Sequence, residues 1–309
     1  MMAMSSLIRN RDWEYDPPPI VNTPYRFWGG LGVDIRQMYS ERELLGSLIR
    51  KELRQRYKGS ALGWGWALFR PLMLLVVYGV AVGLFLGAAR GIPLFGIYIF
   101  SGLIAWTYLS ALISGSIRAL PGNASLISKA PFRKELLIVA VVVVAAIDLA
   151  IQTSVLVLAY LVFGQWPVFT NLGWLVFALL LLTLLGVALG LVLSAANVYY
   201  RDVGYFVEVV LQVGVWTVPI IYAYSMVASA LANFPALLAA YTLNPLVAAL
   251  TAFRVALWPP ANTSDGAELL LPRNEAVTYG LVGLVASLVL LWLGQRFFSR
   301  VAGNLAQEL

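Results

Sequence analysis

Residues 209–253 run for 45 positions without one charged side chain. A bilayer core about 30 Å thick is crossed by roughly 20 apolar residues in a helix. The run is therefore too long for one crossing, and Pro219, Pro235 and Pro245 interrupt it, each removing a helical hydrogen bond. Other runs match a single crossing. Residues 71–89, 91–117, 172–200 and 276–295 are uncharged, and 136–163 carries only Asp148. In lipid, backbone polar groups have to be satisfied within the segment, so these runs read as helices. Composition agrees: 61% of the chain is hydrophobic and 12% charged, against about 45–50% and about 25% for soluble domains. The fold class expected is an all-α integral membrane protein, with spans at 67–89, 92–118, 135–163, 172–198 and 276–296.

The long run admits two readings: two full spans, or one span at 205–228 followed by re-entrant helices at about 229–258. The second requires irregular backbone buried in protein or lining a cavity. Charge favours it. With six spans and the N-terminus inside, eighteen Lys and Arg lie on the cytoplasmic side and only Arg90, Arg254 and Arg273 outside, as positive-inside placement demands. The same rule explains a net charge of +6 without nucleic acid.

The chain divides into an arm at 1–35, an interface region at 36–66 and a membrane body at 67–309. Prolines 17, 18, 19 and 24 favour an extended, surface-laid arm, and no cleavable secretory signal is evident in it. Ser40 and Glu43 have capping-box spacing. Leu44, Leu45, Leu48, Ile49 and Leu53 then recur at helical intervals among Arg50, Lys51, Arg54, Arg56 and Lys58, with Gly59 placed to end the helix. This predicts a basic amphipathic helix in the cytoplasmic interface. An ordinary soluble helix packed on a neighbour is the alternative.

The chain has no Cys and no His. Disulfides, thiolate nucleophiles, the usual zinc sites and the usual general base are thereby excluded. It also lacks G-x-x-x-x-G-K-[ST], so it carries no phosphate loop of its own. Asp148 lies mid-span, where an acid costs about 2.5–3.5 kcal/mol on insertion scales. Gln152 is one turn on along the same face, and Glu208 with Gln212 repeats the spacing. Such groups face a lumen or a helix partner, and an interhelical hydrogen bond is the plain role.

Four segments in order resemble the membrane subunit of ABC-2-type polysaccharide exporters, the O-antigen, teichoic-acid and related cell-envelope glycan permeases. They are LRQRYKGSALGWGW at 53–66, LISKAPFRK at 126–134, NVYYRDVG at 197–204 with PIIY at 219–222, and LNPL at 243–246 with Phe253-Arg254. A short tail after Phe297 also fits. Arg70-Pro71 departs from the family's usual neutral residue before the proline, and 1–35 lies outside the resemblance. The resemblance implies six spans with a re-entrant pair on the outer face. It implies no catalysis and no cofactor in this chain, with MgATP bound by a separate subunit.

That subunit needs a docking element, and the resemblance points to a coupling loop at 119–134. Pro121-Gly122 breaks the preceding helix, Asn123 is placed to cap a short helix, and Pro131 stops it. Asn123, Ser125, Leu126, Lys129, Phe132, Arg133 and Lys134 are the contact candidates; a plain positive-inside loop is the alternative. Arg54, Arg56, Tyr57, Lys58, Tyr199, Tyr200, Arg201 and Asp202 would form a cytoplasmic gate for an anionic lipid diphosphate, or simply an interface anchor. Glycans slide on aromatic faces, so Tyr98, Trp106, Tyr108, Trp216, Tyr222, Tyr224, Tyr241 and Trp258 are candidates for the path, although aromatic belts at the interfaces use the same residue types. Six helices enclose little space, so the polymer path is expected between two copies of the chain; the resemblance then implies two ATPase subunits and a bacterial inner membrane, with both termini cytoplasmic. The rivals are an ABC-2 exporter of another lipid or small molecule, an ion-coupled carrier relaying through Asp148 and Glu208, and a membrane-embedded glycan-processing enzyme.

Overall fold

The computed structural model describes residues 41–57, 65–85, 87, 91–129 and 132–302. The arm, Ser40, Lys58, Gly59, Arg90, Pro131 and the tail past 302 lie outside them, as do the side chains of Arg56 and Tyr57.

Among the described residues all regular structure is helical, with no strand. Helix α1 is Arg42–Tyr57. Helix α2, Gly65–Val77, carries Pro71 and continues as a π-helix at Tyr78–Phe85. Helix α3 is Phe95–Ala119. A 3-10 turn at Pro121–Asn123 leads into α4, Ala124–Lys129. Then come α5, Glu135–Phe163, and α6, Leu172–Tyr199. Helix α7 is Asp202–Gly214, α8 Tyr224–Ala230, α9 Pro235–Thr242 and α10 Pro245–Leu257. The one-turn α11, Ser264–Ala267, precedes α12, Arg273–Ala302.

Among the described residues four helices are long and apolar enough to cross a membrane: α3, α5, α6 with the turn before it, and α12. The pair α9–α10, bent by 64°, makes a fifth candidate if counted as one span. Helix α3 is the centre, with 72% of its most apolar window buried, whereas α12 has 22% and presents Leu281, Val285, Leu288 and Leu293 outward. An apolar surface that large calls for lipid or another chain.

The bundle has two distinct ends. At one, α1, the Pro121–Lys129 segment, the start of α5, the end of α6 and Phe298 of α12 share a core of Leu48, Leu120, Ile127, Leu136, Val198 and Phe298. At the other, Tyr98 of α3, Tyr160 of α5 and Trp258 after α10 pack together. We refer to these as the α1 end and the cap end.

The run expected to be one helix at 205–228 is not continuous. Helix stops at Gly214 and resumes at Tyr224. Pro219 has no N–H and its ring excludes the carbonyl four residues back, so the helix cannot pass through it. The chain nevertheless travels from end to end. Gly204 sits beside Ile117 near the end of α3, and the Tyr222 carbonyl accepts from the Tyr98 hydroxyl at 2.8 Å. Nineteen residues of α3 separate those two levels, about 28 Å at 1.5 Å per residue.

Helix α10 is different. Its first residue, Pro245, lies against Gly283, ten residues into α12, and its end meets α3 and α5 at the cap end. That is a depth of about 15 Å. Pro at N1 and the Asn244 side chain, which accepts from the Leu246 amide at 3.0 Å, satisfy its half-buried start.

Candidate functional site

At the α1 end, α1 does more than lie on a surface. Leu48 is buried against the start of α5, and Lys51 Nζ donates to Asn123 Oδ1 at 2.6 Å. Asn123 Nδ2 donates back to the Ala119 carbonyl at 2.8 Å. Asn123 therefore does not cap α4. That helix grows directly out of the 3-10 turn, and the Asn123 side chain ties α3, the turn and α1 together. Ile127 anchors α4 in the core, while Ser125, Ser128 and Lys129 are exposed and Leu126 half-buried. Phe132, Arg133 and Lys134 are half-buried where the chain enters α5, with Arg133 paired to Glu135 at 3.7 Å. Partial burial holds the Lys134 ammonium below the ordinary lysine value, with Glu135 opposing that shift.

Beside this assembly opens a cleft of about 410 Å³. Its walls are the last turns of α3 (Ser114, Ile117, Arg118) and of α6 (Asn197, Val198), and the first turns of α7 (Gly204, Tyr205, Glu208), with Arg201 between them. Pro121 and Ala124, where α4 begins, also line it. Asn197 builds the corner by accepting from the Gly204 amide at 2.9 Å. Of the expected gate residues, Arg201 lines the cleft, while Tyr199, Tyr200, Asp202 and Arg54 are exposed at the same end.

The cap end holds a buried arginine. Arg254, grouped by charge counting with the outer cations, is 1% exposed. Its Nη1 donates to the Pro219 carbonyl and its Nη2 to the Ile220 carbonyl at 2.8 Å. Its guanidinium lies 3.6 Å from the Tyr98 ring centroid. Gly102 makes room: a Cβ there would sit 2.9 Å from Nη2 and 3.2 Å from the Ile220 side chain. The Trp258 indole donates to the Pro93 carbonyl at 3.0 Å, and Tyr160 donates to the Leu257 carbonyl. Arg254 is thus the donor that satisfies the carbonyls freed by the break in the chain after α7.

The aromatic candidates divide accordingly. Tyr98, Tyr108, Tyr224 and Trp258 are buried, with Tyr108 bonded to Thr183 at 2.8 Å. Trp106 packs under Gly214, where a Cβ would meet its ring at 2.7 Å. Open ring surface belongs to Trp216, 62% exposed, and to the half-buried Tyr222 and Tyr241. Among the intramembrane polar residues, Gln152 accepts from Thr107 at 2.9 Å, an interhelical hydrogen bond between α5 and α3. Asp148 is half-buried one turn earlier, and Glu208 and Gln212 are exposed along α7.

The profile of the ABC-2 type transporter family matches residues 43–258, a stretch that includes all but the first residue of α1, the Pro121–Asn123 turn with α4, the cleft and the arginine clamp. The chain belongs to the ABC-2 type transporter family. Among curated relatives of this ABC-2 chain, an O-antigen export system permease protein of Myxococcus xanthus is 30% identical over 277 residues, covering 89% of this chain and 98% of the relative. A permease of the same description from Klebsiella pneumoniae is 25% identical, covering 60% of this chain and 71% of itself. A polysialic acid transport protein of Escherichia coli is 25% identical, covering 79% and 90%. The resemblance read in the sequence segments therefore holds at the level of the family.

Three features of this ABC-2 chain carry no signal in the sequence segments used above. Arg118 reads as one more loop cation, although its place three residues before Pro121 puts it on the last turn of α3. Asn262 joins α6 to α12 by accepting from Asn171 at 2.6 Å and Arg273 at 2.8 Å. Gly186 and Gly190 form a G-x-x-x-G pair, the signal for close helix approach in membranes, and they seat α6 on α3.

Proposed function

We propose that this chain is the transmembrane subunit of an ATP-driven exporter that moves a polyprenyl-diphosphate-linked glycan out of the cytoplasm across the bacterial inner membrane. Its relatives include export permeases for O-antigen and a polysialic acid transport protein. The carrying observation is that α1, the α4 turn and the cleft meet at one end of the bundle, bound together by the Lys51–Asn123 hydrogen bond. A load-sensing cleft and an exposed helix for docking an ATPase are thereby one mechanical unit.

In this reading the chain crosses six times: α2 with its π-helical continuation, α3, α5, α6, the broken segment from Asp202 to Ala230, and α12. The α9–α10 pair enters and leaves from the outer side, since a depth of about 15 Å is half a bilayer. Both termini are cytoplasmic, and α1 lies at the cytoplasmic interface. Two ATPase subunits bind MgATP and dock on α4 through Ser125, Leu126, Lys129 and the Phe132–Lys134 turn. Two copies of this chain pair, with the polymer path between them. The outward face of α7 supports that pairing. Tyr205, Phe206, Val213 and Trp216 are exposed there around Gln212, and a glutamine on such a face is better satisfied by another helix than by lipid. On that arrangement Trp216, Tyr222 and Tyr241 supply the ring surface for sugars.

Co-expression with a candidate ATP-binding-cassette ATPase from the same genome tests the reading. The pair is expected to co-elute and to hydrolyse ATP faster when glycan substrate is added. Ser128→Trp, on the exposed side of α4, is expected to abolish co-elution while the permease itself still elutes as a folded species. Glycan export by this chain alone, driven by an ion gradient, would overturn the reading.

A further inference from the structure

We infer that the cleft between α3, α6 and α7 is a glycosyl diphosphate site, in which Arg118 and Arg201 take phosphoryl oxygens and Glu208 takes hydroxyls of the first sugar. The inference rests on the exporter reading for its cargo and adds the site and the division of labour within it. Arg118 and Arg201 come from different elements, yet both line one cleft and neither guanidinium forms a hydrogen bond or ion pair with any described residue. Two guanidinium groups left unneutralised around one space define a place for a multiply charged anion, and guanidinium forks match phosphate geometry.

The start of α7 does not supply the charge. The Gly204 amide is taken by Asn197 Oδ1 and the Arg201 carbonyl, and the Val203 amide by the Tyr200 carbonyl. The arginines, rather than these two amides, are the groups assigned to the anion. The cleft's volume of about 410 Å³ falls in the range of small-molecule pockets.

Glu208 sets the ligand's orientation. It lies two turns beyond Arg201 along α7, about 10 Å farther into the bundle. Glu208 too is without a described partner. A carboxylate repels phosphate but accepts well from sugar hydroxyls. A bare diphosphate meets that repulsion, whereas a glycosyl diphosphate places its hydroxyls there and its phosphates at the mouth. The ligand then also touches Pro121 and Ala124, so filling the cleft loads the element that carries α4.

The probe is N-acetylglucosaminyl diphosphate on a farnesyl chain, with farnesyl diphosphate and inorganic pyrophosphate beside it, titrated against the purified full chain in nanodiscs. Arg118→Gln and Arg201→Gln are each expected to weaken the glycosyl probe by about tenfold, with Arg→Lys at each position recovering part of the loss. Glu208→Gln is expected to weaken the glycosyl probe while strengthening farnesyl diphosphate, because only the latter feels pure repulsion. Equal binding of the glycosyl probe by wild type and the Arg118→Gln/Arg201→Gln double variant, at matched elution volume, overturns the site. An equal gain for both probes in Glu208→Gln overturns the sugar assignment. In the complete exporter, the double variant should raise the substrate level for half-maximal export; an unchanged level also overturns the site. If the wild-type complex exports no glycan while probe binding behaves as stated, the exporter reading fails and the site stands.

Discussion

Arg254→Met is expected to release the break after α7 from the bundle and, on the exporter reading, to stop export. In the native chain the Pro219 and Ile220 carbonyls have Arg254 as their side-chain donor, in a place where Val218 and Ile220 are fully buried. Methionine fills similar space but donates nothing. Each buried carbonyl so orphaned costs about 1–3 kcal/mol. The opposing effect is real: removing a cation that lacks a carboxylate partner recovers desolvation energy. Two carbonyls lost at once, beside a proline that has no N–H of its own, outweigh that gain where water has no access. Arg254→Lys should fall between, since an ammonium keeps the charge but loses the fork and the stacking on Tyr98. The chain has no cysteine, so Ile220→Cys is a clean reporter. It should resist a membrane-impermeant maleimide in the native background and react readily once Arg254 is methionine. Equal protection in both backgrounds would refute the clamp.

The clamp marks the boundary of what could be read from the chain as a string. Apolar runs located α3, α5, α6 and α12 because lipid exposure imposes length and hydropathy directly. Pro219 announced a break in the run at 205–228 for an equally local reason. How far the break extends, and why it is tolerated, depends on an arginine 34 residues later. Charge counting could place Arg254 only on a side, because the rule weighs sign and topology and is blind to burial. Asn123 shows the same limit. Its position after Pro121-Gly122 fits a cap, but Lys51, 72 positions earlier, competes for the same oxygen and wins.

The cleft was legible in part. Arg201 stood out because it follows two tyrosines at the end of a span. Arg118 and Glu208 did not join it until α3, α6 and α7 were brought together, since no periodicity relates a residue at the end of α3 to one in α7. The aromatic candidates were the least specific. Tyr and Trp serve interfaces, cores and binding surfaces alike, and hydrogen bonds to the Tyr222 carbonyl, Thr183 and the Pro93 carbonyl show Tyr98, Tyr108 and Trp258 serving the core.

Gly190→Leu, and more so the double change with Gly186→Leu, separates α6 from α3 and should leave little folded protein. A Cβ on Gly190 would sit 2.5 Å from Ser116 Oγ and 2.8 Å from Ser116 Cβ; one on Gly186 would sit 2.6 Å from Leu112 Cδ1 and 2.9 Å from Leu112 Cβ. The Ser116 hydroxyl can turn, but a Cβ against a Cβ is relieved only by moving a helix. Between lipid-solvated helices close packing is the main attraction, so separation forfeits contacts along the whole crossing. Overpacking of this kind costs about 1–3 kcal/mol per site. The damage should be specific to this contact, which a compensating change can prove. Gly190→Ala alone should lower the yield of monodisperse protein in detergent, and adding Ser116→Gly should restore most of it by removing the atoms the new Cβ meets. Failure of that pair to recover would show that Gly190 matters for its backbone freedom instead. Because Arg118 and the Pro121 turn ride on the end of α3, whatever Gly190→Ala protein does fold should also show a widened cleft and weaker binding of the glycosyl probe, lost and regained together with the crossing.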